Sequence, residues 1–245
     1  MFKPGKLPKR YDSRTLRLSN YLKAGLPAPP AAADWATKVP TWPMYLNDQL
    51  GDCVLAAAGH MIEQWTHYAG KSILPSDQQI LTAYEAVGGY VPGDPSTDRG
   101  TVMLDALNYW RGTGIAGRNI HAYVEVNPKS LTEVKQAIQL FGNCYVGLQL
   151  PVSAQGQDFW SVPSGGPVGK GAPGSWGGHC VPLVAFGPST LCSVTWGKLL
   201  RMSHSFFLDY CDEAYAVISN DWIEANGASP GGIHLAALEA DLQAL

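Results

Sequence analysis

The chain has 245 residues, of which 46% are hydrophobic and only 15% are charged. This is enough apolar material for one generous domain or two small ones. The formal net charge of −3 argues against a general nucleic-acid binder, which would carry a basic excess, so we expect no nucleic-acid partner. The sequence holds neither an apolar run of about 18 residues nor the apolar core of a signal peptide, so we expect no membrane partner and a cytoplasmic location.

The five cysteines are an odd number and are spread over the chain, at Cys53, Cys144, Cys180, Cys192 and Cys211. Their low density differs from that of a secreted disulfide scaffold and indicates free thiols in a reducing compartment. The cysteines and histidines also lack the paired short spacings of a structural zinc site. We therefore expect no metal and no cofactor.

The first 33 residues form a predicted arm that is basic at first and then rich in Pro and Ala. Residues 1–23 hold seven of the 17 Lys and Arg against Asp12 alone, which leaves ten basic and nineteen acidic groups for the rest of the chain. Two interpretations fit this asymmetry. Either the basic arm lies along the acidic body, residues 34–245, and covers part of a cleft, or it is a solvated tail.

The stretch Asn47–Cys53 comes just before a run in which apolar residues recur at helical spacing. This pattern predicts a helix from Cys53 to about Gly70. Cys53 would lie in the first turn, where unpaired backbone N–H groups and the helix dipole lower a cysteine pKa below its free value of about 8.5. The position suits a cysteine nucleophile, and the alternative is a small core residue at a helix start.

Two more helices are predicted in the first half of the chain, at residues 75–86 and 101–111. Strands are predicted later, at 122–126, 143–150, 179–186, 191–196 and 213–218, with helices at 131–141, 203–210 and 233–245. A glycine-rich loop, 153–178, is long enough to be functional. Helices first and antiparallel strands later predict the α+β class, with a helical lobe at about 45–118 and a β lobe at about 119–218.

Several segments resemble, in order, the papain-like cysteine peptidases, in particular short bacterial and phage members of that superfamily. Leu50-Gly51-Asp52-Cys53 is similar to the nucleophile loop, Gly178-His179-Cys180-Val181 to the histidine strand, and Ser193-Val194-Thr195-Trp196-Gly197 to the Asn-Ser-Trp-Gly segment. Asp34-Trp35 resembles the start of the mature domain. The resemblance covers roughly residues 30–218. It implies a papain-like fold of two lobes, with an antiparallel sheet or barrel in the β lobe and an active-site cleft between the lobes.

The resemblance implies that Cys53 is the nucleophile and His179 the base. The 126 residues between them are close to the roughly 130–150 typical of papain-type enzymes. In that chemistry the thiolate attacks a carbonyl carbon, and the imidazole protonates the leaving amine and then activates water against the thioester. Gly100, Gly178 and Trp196 would lie along the cleft, with Trp196 shielding the histidine from water.

The oxyanion hole of the family combines the backbone N–H of the cysteine with a side-chain amide from a Gln six residues earlier. Six residues before Cys53 is Asn47, whose amide donates the same N–H from a shorter stem. Gln49 has the family's side chain, but at a spacing of four. We expect Asn47 in this role, with Gln49 as the alternative, and either residue could instead only shape the turn.

The family's third catalytic position departs most from its pattern in this chain. The Asn that orients the imidazole stands two residues before the Trp, and here that residue is Val194, which cannot hydrogen-bond. Thr195 or Ser193 would have to replace it, and Thr195 could do so only if the register of the strand shifts, because alternation puts Val194 and Trp196 on the same face. The departure predicts slow turnover.

The sequence therefore predicts a papain-like cysteine hydrolase that cleaves a peptide or other amide bond, with a peptide or protein as its substrate. The alternative is a papain-fold binding or structural protein of weak or no activity, for instance a phage particle component, which would place it in a virion. A third interpretation is a transferase or amidase that uses the same thioester.

Overall fold

The computed structural model describes residues 2–24, 28–225 and 234–243. The helices within these residues are α1 Cys53–Tyr68, α2 Asp77–Gly88, α3 Met103–Gly112, α4 Leu131–Phe141, α5 His204–Tyr210, α6 Asn220–Ala225 and α7 Leu235–Gln243. None of the described helices combines the length and the apolar character needed to cross a membrane. Residues 233, 244 and 245 of the predicted C-terminal helix lie outside the described residues.

The strands are β1 Ala33–Asp34, β2 Ile120–Glu125, β3 Cys144–Leu150, β4 Phe159–Trp160, β5 Gly177–Phe186, β6 Thr190–Thr195, β7 Lys198–Ser203 and β8 Cys211–Ser219. They form one sheet in the order β2-β8-β3-β5-β6-β7-β4, and β1 pairs with β5 beside that path. All pairs are antiparallel except β4 with β7. The predicted α+β class is confirmed, but the sheet is mixed and, over the described residues, open rather than closed into a barrel.

Helix α1 is the central helix of the helical lobe and is buried along almost its whole length. Its alanines favour helix because they lose no side-chain entropy, and their small size lets α1 pack closely on β5. The Tyr145 hydroxyl of β3 donates to the Val54 carbonyl at 2.6 Å, and Trp65 Nε1 donates to the Phe141 carbonyl at 2.9 Å. These bonds hold both ends of α1, and with it Cys53, against the β lobe.

Two apolar clusters lie on opposite faces of the sheet. Along β3, Tyr145 packs in the cluster of α1, whereas Cys144 and Val146 pack in the cluster of α4 and α5. Along β8, Tyr215 and Ala216 alternate in the same way. This is the period of two that a strand buried on both faces requires.

The described part of the arm is not a solvated tail but runs across the body from the cleft to the α4 face of the sheet. Leu18 and Tyr21 are buried in the cluster of α4 and α5. The Tyr21 hydroxyl donates to Asp241 of α7 at 2.7 Å. We call Leu18 and Tyr21 the anchor of the arm. Between the cleft and this anchor, Lys9 forms an ion pair with Glu125. The described part of the arm is therefore anchored to the body at Lys9, Leu18 and Tyr21.

Candidate active site

Cys53 begins α1 and is buried, with 1% of its surface exposed. Backbone hydrogen bonds link its sulfur to Gly5 of the arm and to Cys180 of β5. In spite of these donors and the helix N-terminus, burial raises the pKa of the Cys53 thiol to about 12. The lowered pKa expected from the helix position is wrong for this state of the protein, because desolvation outweighs the helix dipole.

His179 lies on β5, next to the residue that contacts the Cys53 sulfur. Its Nε2 is 2.7 Å from Thr195 Oγ1, and its buried Nδ1 has no hydrogen-bond partner among the described residues. Burial lowers the pKa of His179 to about 3, so the imidazole is neutral. One ring nitrogen is thus held by a hydroxyl, and the other remains available to a reacting group.

Thr195 reaches His179 because β6 ends at Thr195. Trp196 has a φ of 45° and begins the turn into β7, so the alternation of the strand stops before it. Val194 therefore packs with Ala36 in a separate small cluster, while Trp196 stacks on His179 with ring centroids 4.3 Å apart. The turn at Trp196 thus brings the side chains of Thr195 and Trp196 to His179, without the register shift that strand alternation would require.

Asn47 is buried in the loop before α1, and its side-chain amide is used within that loop. Nδ2 donates to Asp52 Oδ1 at 2.9 Å and to the Leu50 carbonyl at 3.3 Å. Gln49 is exposed. Asn47 would have to give up one of these two bonds to donate to an oxyanion, so its role, like that of Gln49, stays a prediction.

Residues 2–7 of the arm, which we call the strap, occupy the cleft. On one side the Thr101 N–H donates to the Gly5 carbonyl at 2.8 Å, and on the other the Lys6 N–H donates to the Gly178 carbonyl at 2.8 Å. We call the two sides the helical wall (Gly51, Asp98, Gly100 and Thr101) and the sheet wall (Gly147, Gly178, Asp212 and Glu213). The strap is hydrogen-bonded through its backbone to both walls.

Glycines line the cleft wherever the strap passes. A Cβ on Gly100 would lie 2.0 Å from the Gly5 carbonyl oxygen, and one on Gly178 would lie 2.2 Å from that of Lys6. A Cβ on Gly5 itself would lie 1.9 Å from the Gly51 carbonyl oxygen. The predicted cleft residues Gly100 and Gly178 therefore touch the strap directly, at distances that only glycine allows.

The first residues of the strap pack on Trp196 and on the helical wall. Phe2 stacks on Trp196 with ring centroids 4.6 Å apart, so Phe2, Trp196 and His179 form a continuous stack. Lys3, the next residue, forms an ion pair with Asp98 of the helical wall. Burial of Cys53 and His179, to which the contacts of Gly5 and Trp196 contribute, is the physical origin of both pKa changes.

The Lys6 side chain enters a pocket of the sheet wall and is fully buried. Its Nζ lies 2.7 Å from Glu213 Oε1 and 2.9 Å from Asp212 Oδ2. Burial alone would lower the pKa of Lys6, but the attraction of Glu213 and Asp212 outweighs it and raises the pKa. None of these three residues was predicted as part of the site. Only the charge asymmetry between arm and body indicated a contact of this kind.

The strap is bound in a way that does not expose a peptide bond to attack. A thiolate attacks a carbonyl carbon while the carbonyl oxygen meets the donors of an oxyanion hole. Here the contact at the Cys53 sulfur is a backbone hydrogen bond to Gly5, and the Gly5 carbonyl oxygen is already held by Thr101. The strap therefore presents a backbone hydrogen bond, and not a free carbonyl group, to the Cys53 sulfur.

The remaining cysteines do not form a second reactive or metal-binding cluster. All five cysteines are free and buried. Over the described ranges, no three His, Cys, Asp or Glu side chains are placed to share a metal ion. Cys53 differs from the other four in lying at a helix start beside the strap.

No protein-family model matches the chain, and no curated protein sequence does. Several solved structures are similar to it. Xylellain, a cysteine protease from Xylella fastidiosa, is 13% identical, with a TM-score of 0.70 over 89% of this chain and 96% of that one. Procathepsin B S9 from Trypanosoma congolense is 12% identical, with a TM-score of 0.63 over 89% and 87%. Digestive procathepsin L 3 from the Tenebrio molitor larval midgut is 14% identical, with a TM-score of 0.60 over 83% and 74%. The chain has the fold of the papain-like cysteine proteases.

Proposed function

We propose that the protein is a cysteine hydrolase that cleaves a peptide or other amide bond with Cys53 and His179. The observation that carries the proposal is the position of the Cys53 thiol. It lies at the start of α1 and is hydrogen-bonded to the backbone of Cys180 in β5, one residue from His179, whose Nε2 contacts Thr195 Oγ1. Three elements, α1, β5 and β6, thus supply a nucleophile, a base and a hydroxyl that positions the base. The protease fold of the structural neighbours supports the same reaction class.

The proposed reaction starts when a substrate replaces the strap. His179 Nδ1 takes the proton of Cys53, and the thiolate attacks the carbonyl carbon of the amide. The C–N bond breaks as Nδ1 passes its proton to the leaving amine, which leaves a thioester on the sulfur. Water then gives a proton to Nδ1 and attacks the thioester, and the acid leaves as the thiol is restored. Throughout, Thr195 holds the ring at Nε2.

The described state is, in this proposal, the closed form of the enzyme. With the strap in place, burial raises the pKa of Cys53 and lowers that of His179, so neither group is charged. When the strap leaves, water reaches both groups and favours the thiolate and the imidazolium together. Departure of the strap is therefore the step that creates the reactive pair.

The test uses the full chain with a protease recognition sequence inserted between Ser13 and Arg14, both of which are exposed. The chain folds intact and is then nicked, and residues 1–13 are removed by gel filtration. At pH 7 iodoacetamide should then label Cys53 rapidly, and a mixed peptide pool should be cut. The variant Cys53→Ala should lose both reactions. Unlabelled Cys53 in a nicked, folded chain would refute the proposal.

The role of Thr195 is tested with Thr195→Val, which removes the hydroxyl and keeps the volume. Turnover should fall, but by less than the roughly 10²–10⁴-fold that general acid–base catalysis contributes, because His179 itself remains. The kcat should account for the loss, since Thr195 acts on the base rather than on the substrate. Unchanged turnover in the nicked variant would contradict a positioning role.

A second candidate is a papain-fold binding protein without turnover. The observation that favours it is the commitment of the Asn47 amide to Asp52 and Leu50, which leaves the oxyanion hole without a free side-chain donor from that residue. A nicked chain that is labelled at Cys53 but cuts nothing in the peptide pool would support this candidate over the hydrolase.

A further inference from the structure

We propose that the pocket filled by Lys6 is a substrate subsite that selects a lysine or arginine side chain next to the bond that is cut. This inference rests on the proposed function, because it assigns a specificity to the same cleft. Three features of the pocket support the inference: its shape, its charge and its position beside the Cys53 sulfur.

The shape of the pocket suits a long unbranched side chain. The Lys6 side chain has no exposed surface, so its whole stem lies inside the sheet wall. Gly147 forms part of the pocket, and a Cβ there would lie 2.1 Å from Lys6 Cε. The absence of a side chain at residue 147 therefore provides the space through which the stem reaches the two carboxylates.

The charge of the pocket favours a cation. Glu213 has no exposed surface, and its Oε2 accepts from the Tyr215 hydroxyl at 3.0 Å. Asp212 Oδ2 accepts from Gln149 Nε2 at 2.7 Å. These neutral donors fix the carboxylates but do not cancel their charge. When the strap leaves, an apolar side chain in the pocket would leave two carboxylates without a cation, whereas a lysine or arginine restores the pairing.

The pocket lies beside the reacting atoms. The backbone N–H of Lys6 donates a hydrogen bond to the carbonyl of Gly178, the residue before His179. A backbone hydrogen bond also joins Gly5 to the Cys53 sulfur. A peptide that follows the backbone path of the strap and places a side chain in this pocket therefore passes the sulfur with the residue next to that side chain. The pocket can therefore select the side chain of a residue close to the scissile bond rather than that of a distant residue.

The first test is a positional-scanning peptide library on the nicked full chain. We expect lysine or arginine to be preferred over leucine or methionine by at least about tenfold in kcat/KM at one position beside the cut. Glu213→Gln, which keeps the shape and the bond to Tyr215, should reduce that preference at least about tenfold. The matched control is Gly165→Ala, where an added Cβ meets nothing within 4 Å; it should change neither the preference nor the rate of Cys53 labelling by iodoacetamide.

A second test measures the pocket without turnover. A synthetic peptide of residues 1–12 should bind the nicked chain, and the same peptide with Lys6→Met should bind at least about tenfold more weakly. Gly147→Ala in the chain should weaken the native peptide as well, whereas Gly165→Ala, where an added Cβ meets nothing within 4 Å, should not.

The outcomes separate the two proposals. Cleavage without a basic preference, or equal binding of the native and Lys6→Met peptides, would overturn the subsite and leave the hydrolase standing. Absence of labelling and cleavage, with a strong preference for the native peptide, would overturn the hydrolase and leave a lysine-selective pocket.

Discussion

The two walls of the cleft hold the strap in different ways. On the helical wall, Lys3 pairs with Asp98 through a side chain that stays 43% exposed. On the sheet wall, Lys6 pairs with Glu213, and neither side chain has any exposed surface. Exposed ion pairs contribute little to stability, whereas removing one partner of a buried pair is strongly destabilising. We therefore expect the sheet wall to keep the strap in place and the helical wall to align it.

The largest expected effect concerns the thiol that both walls cover. With a pKa of about 12, the fraction of Cys53 present as thiolate at pH 7 is about one part in 10⁵. A raised thiol pKa means that reactivity appears only as the pH rises. Iodoacetamide labelling of the intact chain should therefore increase about tenfold per pH unit from pH 7 to pH 10. A plateau near neutral pH in the intact chain would show that the strap does not set this pKa.

The next largest effect is expected for Lys6→Met on the sheet wall. The substitution leaves Glu213 and Asp212 without their cation, and breaking a buried pair in this way costs roughly 3–5 kcal/mol. Because the strap can leave and let water in, that figure is an upper limit for the loss in free energy of unfolding, measured in urea. Labelling of Cys53 at pH 7 should accelerate in parallel. Equal effects of Lys6→Met and Lys3→Met would contradict the difference between the walls.

A smaller effect is expected for Gly178→Ala, which pushes the strap away without touching a charge. The new Cβ would lie 2.2 Å from the Lys6 carbonyl oxygen. Overpacking of this kind costs about 1–3 kcal/mol, so opening of the strap, followed as Cys53 labelling, should increase about 5- to 150-fold. Gly165→Ala is the matched control, because that glycine has open space around it. An unchanged labelling rate in Gly178→Ala would mean that the strap does not limit access.

The smallest effect is expected for Lys3→Met on the helical wall. The Lys3 side chain is 43% exposed, and Asp98, whose side chain is only 3% exposed, keeps its hydrogen bonds from the Tyr84 hydroxyl and the Gly51 N–H when Lys3 is replaced. We therefore expect a loss of about 0.2–1 kcal/mol, as for a pair that is partly open to solvent, so Cys53 labelling should rise by less than about sixfold. Because the pair is screened by salt, the difference between Lys3→Met and the parent chain should shrink between low and high ionic strength. A difference that is independent of salt would show that Lys3 acts through packing rather than charge.

The sequence was informative where local rules govern the structure. Helix α1 follows from its alanines and its apolar spacing, and the structure begins that helix at Cys53 as predicted. The motif around His179 likewise coincides with β5. In both cases the pattern lies within one element, so neighbouring residues are enough to reveal it.

Other features depend on contacts or turns that no local pattern contains. The positive φ of Trp196 ends the alternation of side chains along β6, so that Thr195 and not Val194 contacts His179. Strand periodicity alone would not predict this contact. Lys6 and Asp212 are 206 residues apart in the chain, so their contact depends on the whole fold. The raised pKa of Cys53 has the same origin, because it depends on what covers the thiol and not only on its place in a helix.

The anchor of the arm at Leu18 and Tyr21 makes closure of the cleft an intramolecular event. A short tether of this kind keeps the strap at an effective concentration on the order of 1 mM beside its own cleft. A free peptide at about 1 µM would thus need an affinity for the cleft about a thousandfold higher than that of the strap to fill half of the clefts. A cut in the tether would turn this competitor into a separate molecule, so that occupancy of the cleft would then depend on dilution.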